Sequence, residues 1–260
     1  MAGFQAVVPA VRTPPGTSRE ENLELKNQVA IITGASSGIG AEVARNLDAA
    51  GMKLVLTARR ADRLEALCAT LHEAVYLPGD IADPALPRQL IEKALAAFGH
   101  CEVVFNNAGV VVKGTIETID VEKVCAMIRV NVEAAFRMAY TALKHFRAVG
   151  RGHLVNTSSV VGTKVRPDIG AYAGTKFAIE ALSETLRIEL AGSDIQVSCI
   201  EPGLVMTELH HDWEVHPKDR SNIREPLQPE DIARCVRFVL EQPSHVRIPR
   251  MLVLPKDQQI

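Results

Sequence analysis

The chain has 260 residues, 47% of them hydrophobic, 23% charged and 4% aromatic, with a formal net charge of −2. These proportions exclude collagen-like, coiled-coil and wholly disordered chains and suit one sizeable α/β domain. Near-neutral charge and few aromatic rings argue against a nucleic-acid binder, and no apolar run reaches the roughly 18 residues needed to span a membrane.

In chain order, residues 1–22 carry Pro9, Pro14, Pro15, Gly16 and a polar run, and read as a flexible tail. The apolar stretch Phe4 to Val11 has neither a basic flank nor a cleavage pattern, so a secretory signal is not expected. Organellar transit is the weaker alternative. Val29 to Thr33 is a short apolar run stopped by Gly34 and predicts a buried strand. A helix follows over 38–51, then a strand over 53–57, and a helix over 62–72 with Leu64, Leu67 and Leu71 on one face. A third strand runs over 74–77, a helix over 84–98, and a fourth strand over 102–105. Residues 118–149 are helical, with a break expected near Asn131. Further strands are expected at 154–157, 195–200 and 251–254, with helices over 171–191 and from Pro229 onward. Pro202 to Gln228 is an unusually long connection, which marks a functional segment rather than a linker.

Strand–helix alternation along the whole chain predicts a single-domain, Rossmann-like, doubly wound seven-stranded parallel sheet with helices on both faces. That domain should occupy residues 23–260. The five cysteines are odd in number and form no C-x-x-C pair. Free thiols in a reducing cytoplasm are therefore expected.

The first strand runs into Thr33-Gly34-Ala35-Ser36-Ser37-Gly38-Ile39-Gly40. Small residues let a backbone approach a pyrophosphate, and the helix that follows offers unpaired N–H groups and a positive dipole end. A tight turn without ligand would use the same residues. Asn106-Asn107-Ala108-Gly109 follows the fourth strand, Tyr172-Ala173-Gly174-Thr175-Lys176 opens a helix thirteen residues after Ser159, and Pro202-Gly203 closes the sixth strand. Together these resemble the short-chain dehydrogenase/reductase family over residues 25 to about 255. The tail from Leu252 to Gln259, with Glu201-Pro-Gly and His245, is more loosely similar to the family's serine and small hydroxy-acid dehydrogenases.

Y-x-x-x-K occurs twice, at Tyr140–Lys144 and at Tyr172–Lys176, and each spacing puts both side chains on one helix face. Tyr172 follows a serine-rich strand end at the ligand edge of the sheet, whereas Tyr140 lies mid-helix. Tyr172 is therefore the expected acid/base, and Tyr140–Lys144 a structural pair. Reducing a ketone leaves an alkoxide that an acid must protonate near neutral pH. A free tyrosine titrates near about 10, so Lys176 is expected to lower Tyr172 by roughly three units, about 4 kcal/mol of differential interaction. The resemblance implies that Lys176 also binds the nicotinamide ribose, that Ser159 orients the substrate oxygen, and that Asn131 holds a proton-relay water at a helix kink. Ser158 reads as a turn cap.

NAD-preferring family members carry an acid at the end of the second strand. Here the strand ends Thr57-Ala58-Arg59-Arg60. Arginine matches a phosphate through permanent charge and bidentate contacts, and cations at a helix start oppose its dipole unless an anion is near. NADP(H) is the expected cofactor. By resemblance, the loop Gly34, Ser36, Ser37, Gly38, Ile39 and Gly40 holds the diphosphate, and Arg59 and Arg60 the 2′-phosphate. Asp80 and Ile81 flank the adenine, Asn107, Ala108 and Gly109 line the cofactor, and Pro202, Gly203, Val205 and Thr207 wrap the nicotinamide together with Tyr172 and Lys176.

Residues 204–228 should form a substrate lid containing Trp213. Its histidines match no standard zinc spacing, so no metal is expected. Lys164 and Arg166 lie where a basic group could meet a substrate carboxylate, but they equally suit a solvated surface. The overall expectation is an NADP(H)-dependent oxidoreductase, an alcohol dehydrogenase or carbonyl reductase acting on a small molecule. The resemblance implies a homotetramer or dimer. A 3-oxoacyl-thioester reductase and a non-catalytic dinucleotide-sensing protein are the alternatives.

Overall fold

In the computed structural model, which describes residues 24–211 and 213–259, strands and helices alternate along the chain. The tail expected over residues 1–22 lies outside the described residues. The first half comprises β1 (Val29–Thr33), α1 (Gly38–Ala49), β2 (Lys53–Thr57), α2 (Ala61–Cys68), β3 (Ala74–Tyr76), α3 (Leu86–Phe98) and β4 (Val103–Asn106). Then come α4 (Val121–Ile128), a π-helical turn at Arg129–Ala134, α5 (Ala135–Val149), β5 (Arg151–Thr157), α6 (Gly170–Glu189) and β6 (Asp194–Pro202). α7 (Pro217–Arg220), α8 (Pro229–Leu240) and β7 (Arg250–Val253) end the order.

The strands form one parallel seven-stranded sheet in the order β3-β2-β1-β4-β5-β6-β7. All five residues of β1 are buried, because helices cover both faces. Ala30 and Ile32 meet Val43 and Leu47 of α1 and Val236 of α8 on one face. Val29 and Ile31 meet Leu90 of α3, Phe146 of α5 and Leu186 of α6 on the other. The alternation is the period of two that any strand imposes on its side chains.

Several boundaries differ from the sequence pattern for local reasons. The carboxylate of Asp120 accepts from Lys123 N at 3.0 Å, so α4 starts at Val121 rather than at 118. Thr70 turns its hydroxyl onto Leu67 O at 2.7 Å as α2 ends, four residues short of His72. The break expected near Asn131 is a π-helical turn rather than an interruption, and Asn131 lies within it.

The chain runs outward from β1 to β3 and then crosses back to place β4 beside β1. At that reversal the connections leave the carboxyl ends of β1 and β4 in opposite directions, opening a crevice. The segment 204–228 crosses above it. The segment is pinned at its base, where Val205 and Leu227 form a parallel bridge and Met206 N donates to Leu227 O at 2.8 Å. Within it lie a 3-10 turn at Glu208–His210 and α7. Among the described residues no helix is long and apolar enough to cross a membrane.

Candidate active site

The crevice is a cleft of about 1040 Å³ along the carboxyl edge of the sheet. Its floor is built by the glycine loop. Gly34 adopts φ 68°, in the left-handed region that favours glycine. A Cβ on Gly40 would lie 2.3 Å from Gly34 O, so the helix can approach the turn only with glycine there. Gly40 therefore sits behind the cleft wall, while Gly34, Ser36, Ser37, Gly38 and Ile39 line it. Ser37 is the N-cap of α1 but makes no side-chain bond to the helix. The first-turn N–H groups keep their positive dipole end toward the cleft.

Thr33 lashes this loop to the end of β4. Its hydroxyl accepts from Asn107 N at 2.9 Å and Ala108 N at 3.0 Å, while Asn107 Nδ2 donates to Thr33 O at 3.0 Å. Thr157 Oγ1 completes the tie by donating to Asn107 Oδ1 at 3.2 Å. Beneath it, Asn106 Nδ2 donates to Asn156 Oδ1 and Asn156 Nδ2 to Ser183 Oγ, at 3.0 and 2.9 Å. These two asparagines stand opposite each other in the β4–β5 register. Neither threonine nor this buried ladder is visible in the sequence pattern, because the partners lie tens of residues apart.

Asn131 is buried, and its amide is committed to protein. Oδ1 accepts from Val110 N at 2.9 Å, and Nδ2 donates to Val110 O at 2.8 Å and to Thr175 Oγ1 at 3.2 Å. Those bonds use both amide protons and leave one oxygen lone pair. Asn131 thus clamps the segment after Gly109 to the helix that carries Lys176.

Ser159, Tyr172 and Lys176 converge on the cleft. Ser159 follows β5, and its hydroxyl donates to Pro202 O at 3.5 Å. Tyr172 and Lys176 lie one turn apart in α6. Ser159 also accepts from Val161 N at 3.3 Å, so the turn cap expected of Ser158 falls to Ser159, and Ser158 is buried beside Gly162. Tyr140 is 45% exposed on α5 and stands apart from the cleft lining.

The electrostatics correct one expectation. Lys176 Nζ donates to Thr157 O at 2.9 Å and lies 5.7 Å from the Tyr172 ring centroid. Burial pushes the Tyr172 phenol up to about 12, outweighing the lowering effect of the Ser159 hydroxyl. Burial likewise lowers Lys176 to about 8. Desolvation disfavours the charged form of both groups, so Tyr172 is held as a proton donor rather than lowered toward neutrality.

Ala58, Arg59 and Arg60 line one end of the cleft, with Asp80 and Ile81 also in its lining. Arg60 donates to Ser36 Oγ from Nε and Nη2 at 3.1 and 2.9 Å and to Ser37 Oγ at 2.7 Å. Arg59 is exposed at the rim. Arg63, three residues after Arg60 on the same helix face, joins it, and Glu208 bridges the two. The helical spacing was the available signal for Arg63; nothing in the sequence announces Glu208.

At the other end, Gly203 N donates to Val253 O at 2.7 Å and Leu204 N to Gln258 Oε1 at 2.8 Å. The C-terminal segment therefore closes over Pro202 and Gly203. Thr207 caps the 3-10 turn by accepting from Leu209 N at 3.3 Å. Trp213 lies under Lys113, whose Nζ is 4.5 Å from the ring centroid, and His210 packs edge-on against Trp213 at 4.9 Å. Arg166 lines the cleft but donates to Gln259 O at 2.6 Å.

The profile of the short chain dehydrogenases matches residues 28–218. An alcohol dehydrogenase from the archaeon Thermococcus sibiricus, solved with 5-hydroxy-NADP, is 32% identical with a TM-score of 0.81, covering 90% of this chain and 99% of that one. A closed form of serine dehydrogenase with NADP+ is 26% identical with a TM-score of 0.84, covering 90% and 97%. A 3-ketoacyl-(acyl-carrier-protein) reductase from Brucella melitensis, solved with NADH, is 27% identical with a TM-score of 0.82, covering 90% and 99%. The chain belongs to the short-chain dehydrogenase family of oxidoreductases.

Proposed function

We propose that the protein is an NADP(H)-dependent oxidoreductase that interconverts a small alcohol with its ketone or aldehyde, a small hydroxy acid included. The observation that carries this reading is the convergence of Ser159, Tyr172 and buried Lys176 on one cleft, with Lys176 fixed on Thr157 O.

A bound nicotinamide supplies or accepts the hydride at the substrate carbon. The chain's own groups do the rest. Ser159 donates toward the substrate oxygen and orients it. Tyr172, kept protonated by burial, releases its proton to the oxygen as negative charge develops there. Lys176 is anchored on Thr157 O, which holds its charge beside the phenol and stabilises the phenolate left behind. Asn131 is the positioning residue that joins the cofactor loop to this helix.

The residues present suit a 2′-phosphate. Ala58 brings no carboxylate, Arg60 and Arg63 bring two guanidinium groups, and Ser36 and Ser37 bring hydroxyls. Arginine forks and hydroxyls are the donor set that binds phosphate most strongly. Exposed Phe238 on α8 and Leu252 on β7 support a homo-oligomer formed through those elements. Five free cysteines suit a reducing cytoplasm.

The test is NADPH and NADH oxidation with a panel of small aldehydes, keto acids and 3-oxoacyl thioesters. Turnover of small carbonyls with NADPH preferred supports the reading. Preference for acyl thioesters assigns the carrier-linked alternative, and tight cofactor binding without turnover of anything assigns a dinucleotide sensor.

A further inference from the structure

The arginine pair is already occupied by an anion of the protein itself. Glu208 Oε2 lies 2.7 Å from Arg60 Nη1, and Glu208 Oε1 lies 2.5 Å from Arg63 Nη1, so each carboxylate oxygen takes one guanidinium. Glu208 belongs to the 3-10 turn of the segment above the cleft, 148 residues along the chain from Arg60. The contact therefore ties that segment to the start of α2. Arg60 also donates to Ser36 and Ser37 of the glycine loop through Nε and Nη2. The two arginines and Ser37 hold the Glu208 carboxyl down near about 2, so it is an anion at any physiological pH.

A carboxylate and a phosphate monoester ask for the same partners. The phosphate carries more charge, about −1.5 to −2 at neutral pH, and three acceptor oxygens instead of two. The site thus has two claimants of unequal strength. We propose that Glu208 is a cofactor-specificity residue, an internal anion that fills the Arg60–Arg63 fork until a 2′-phosphate replaces it and frees the 208–210 turn.

This rests on the NADP(H) reading above and adds a consequence to it. A cofactor without the 2′-phosphate leaves Glu208 in place, and the turn stays tied to the start of α2. Displacement is transmitted along the segment, because Thr207 packs over the glycine loop, its Cγ2 3.0 Å from a Cβ built on Gly38. His210, on the same turn, packs edge-on against Trp213. Occupancy by phosphate at one end of the cleft is then read at Trp213, through a few residues with two alternative anion partners.

The chain carries a single tryptophan, so Trp213 reports the turn directly. Calorimetric titration of the full-length protein and of Glu208→Gln with NADPH and NADH gives the affinity ratio between the two cofactors. Fluorescence titration with 2′,5′-ADP and with 5′-AMP follows the turn without interference from nicotinamide. Because the ion pairs are half-exposed, their removal should raise the preference for NADPH over NADH by about three- to tenfold. Trp213 emission in the wild type should respond to 2′,5′-ADP and not to 5′-AMP. In Glu208→Gln it should already stand at the displaced value and respond little. If the wild type prefers NADPH but Glu208→Gln leaves or lowers that preference, Glu208 is not a competitor and the inference is overturned. If the wild type binds both cofactors equally, the NADP(H) reading itself falls, and the inference with it.

Discussion

Replacing Asn131 by alanine isolates what the π-helical turn contributes. The side chain is 2% exposed and makes three hydrogen bonds. Thr175 keeps its own donation to Tyr172 O at 2.7 Å, so it loses only an incoming donor. Val110 loses both of its amide partners at once. Two bonds at about 0.5–1.5 kcal/mol each, with part of the desolvation cost of the groups left unpaired, give about 2–3 kcal/mol. For a domain of this size each kcal/mol moves the midpoint by about 2–4 °C, so Tm should fall by about 4–12 °C. Thermal unfolding followed by circular dichroism measures this. Asn131→Asp should be destabilised as well, since it sets an acceptor against Val110 O. Its deficit relative to the wild type should shrink in acid, where a protonated carboxyl can donate to that oxygen. A Tm within about 1 °C of the wild type for Asn131→Ala would mean that water replaces the clamp, and the reasoning would fail.

Tyr172→Phe should lower kcat by about 10²- to 10⁴-fold in an NADPH-linked assay, whereas Tyr140→Phe, on the outer face of α5, should retain most activity; equal effects would reject Tyr172 as the acid. Gly40→Ala forces a Cβ against Gly34 O at 2.3 Å and should cost about 1–3 kcal/mol in urea unfolding, with cofactor affinity falling alongside; unchanged affinity would show that the loop tolerates a shift. His153 is buried and lowered to about 4 by desolvation, with Arg247 adding to the effect. Ser198 gives its one proton to Ile248 O, so His153 Nε2 donates to Ser198. Its unfolded value is about 6.5, so between about pH 6.5 and 4 only the unfolded chain takes up the proton. Stability present above that window is lost as pH falls through it, by about 3 kcal/mol in total. His153→Gln, with a donor and nothing to titrate, should flatten urea midpoints over that window; an unchanged slope would assign acid sensitivity elsewhere.

Much of the fold is legible locally. A run such as Val29 to Thr33 can bury itself only as a strand covered on both sides, and its alternation with amphipathic helices leaves few topologies besides a doubly wound sheet. Glycine spacing, the serine upstream of Tyr172 and the missing acid at Ala58 are equally local, since each depends on what one residue type can or cannot do. The choice between two identical Y-x-x-x-K spacings was also open to sequence reasoning, through the strand end that precedes one of them.

What stayed hidden depends on partners brought together from afar. Thr33 looks like an ordinary strand residue until Asn107 and Ala108 turn their amides onto it. Glu208 looks like a lid carboxylate until it meets Arg60 and Arg63. The direction in which Tyr172 is shifted is not legible in the sequence, because a four-residue spacing implies proximity to Lys176 but says nothing of desolvation. Periodicity and residue chemistry act over a few residues and so determined the sheet, its helices and the list of reactive groups. Burial and long-range pairing exist only once the chain has closed on itself, and they alone decided which proton is held and which anion occupies the arginines.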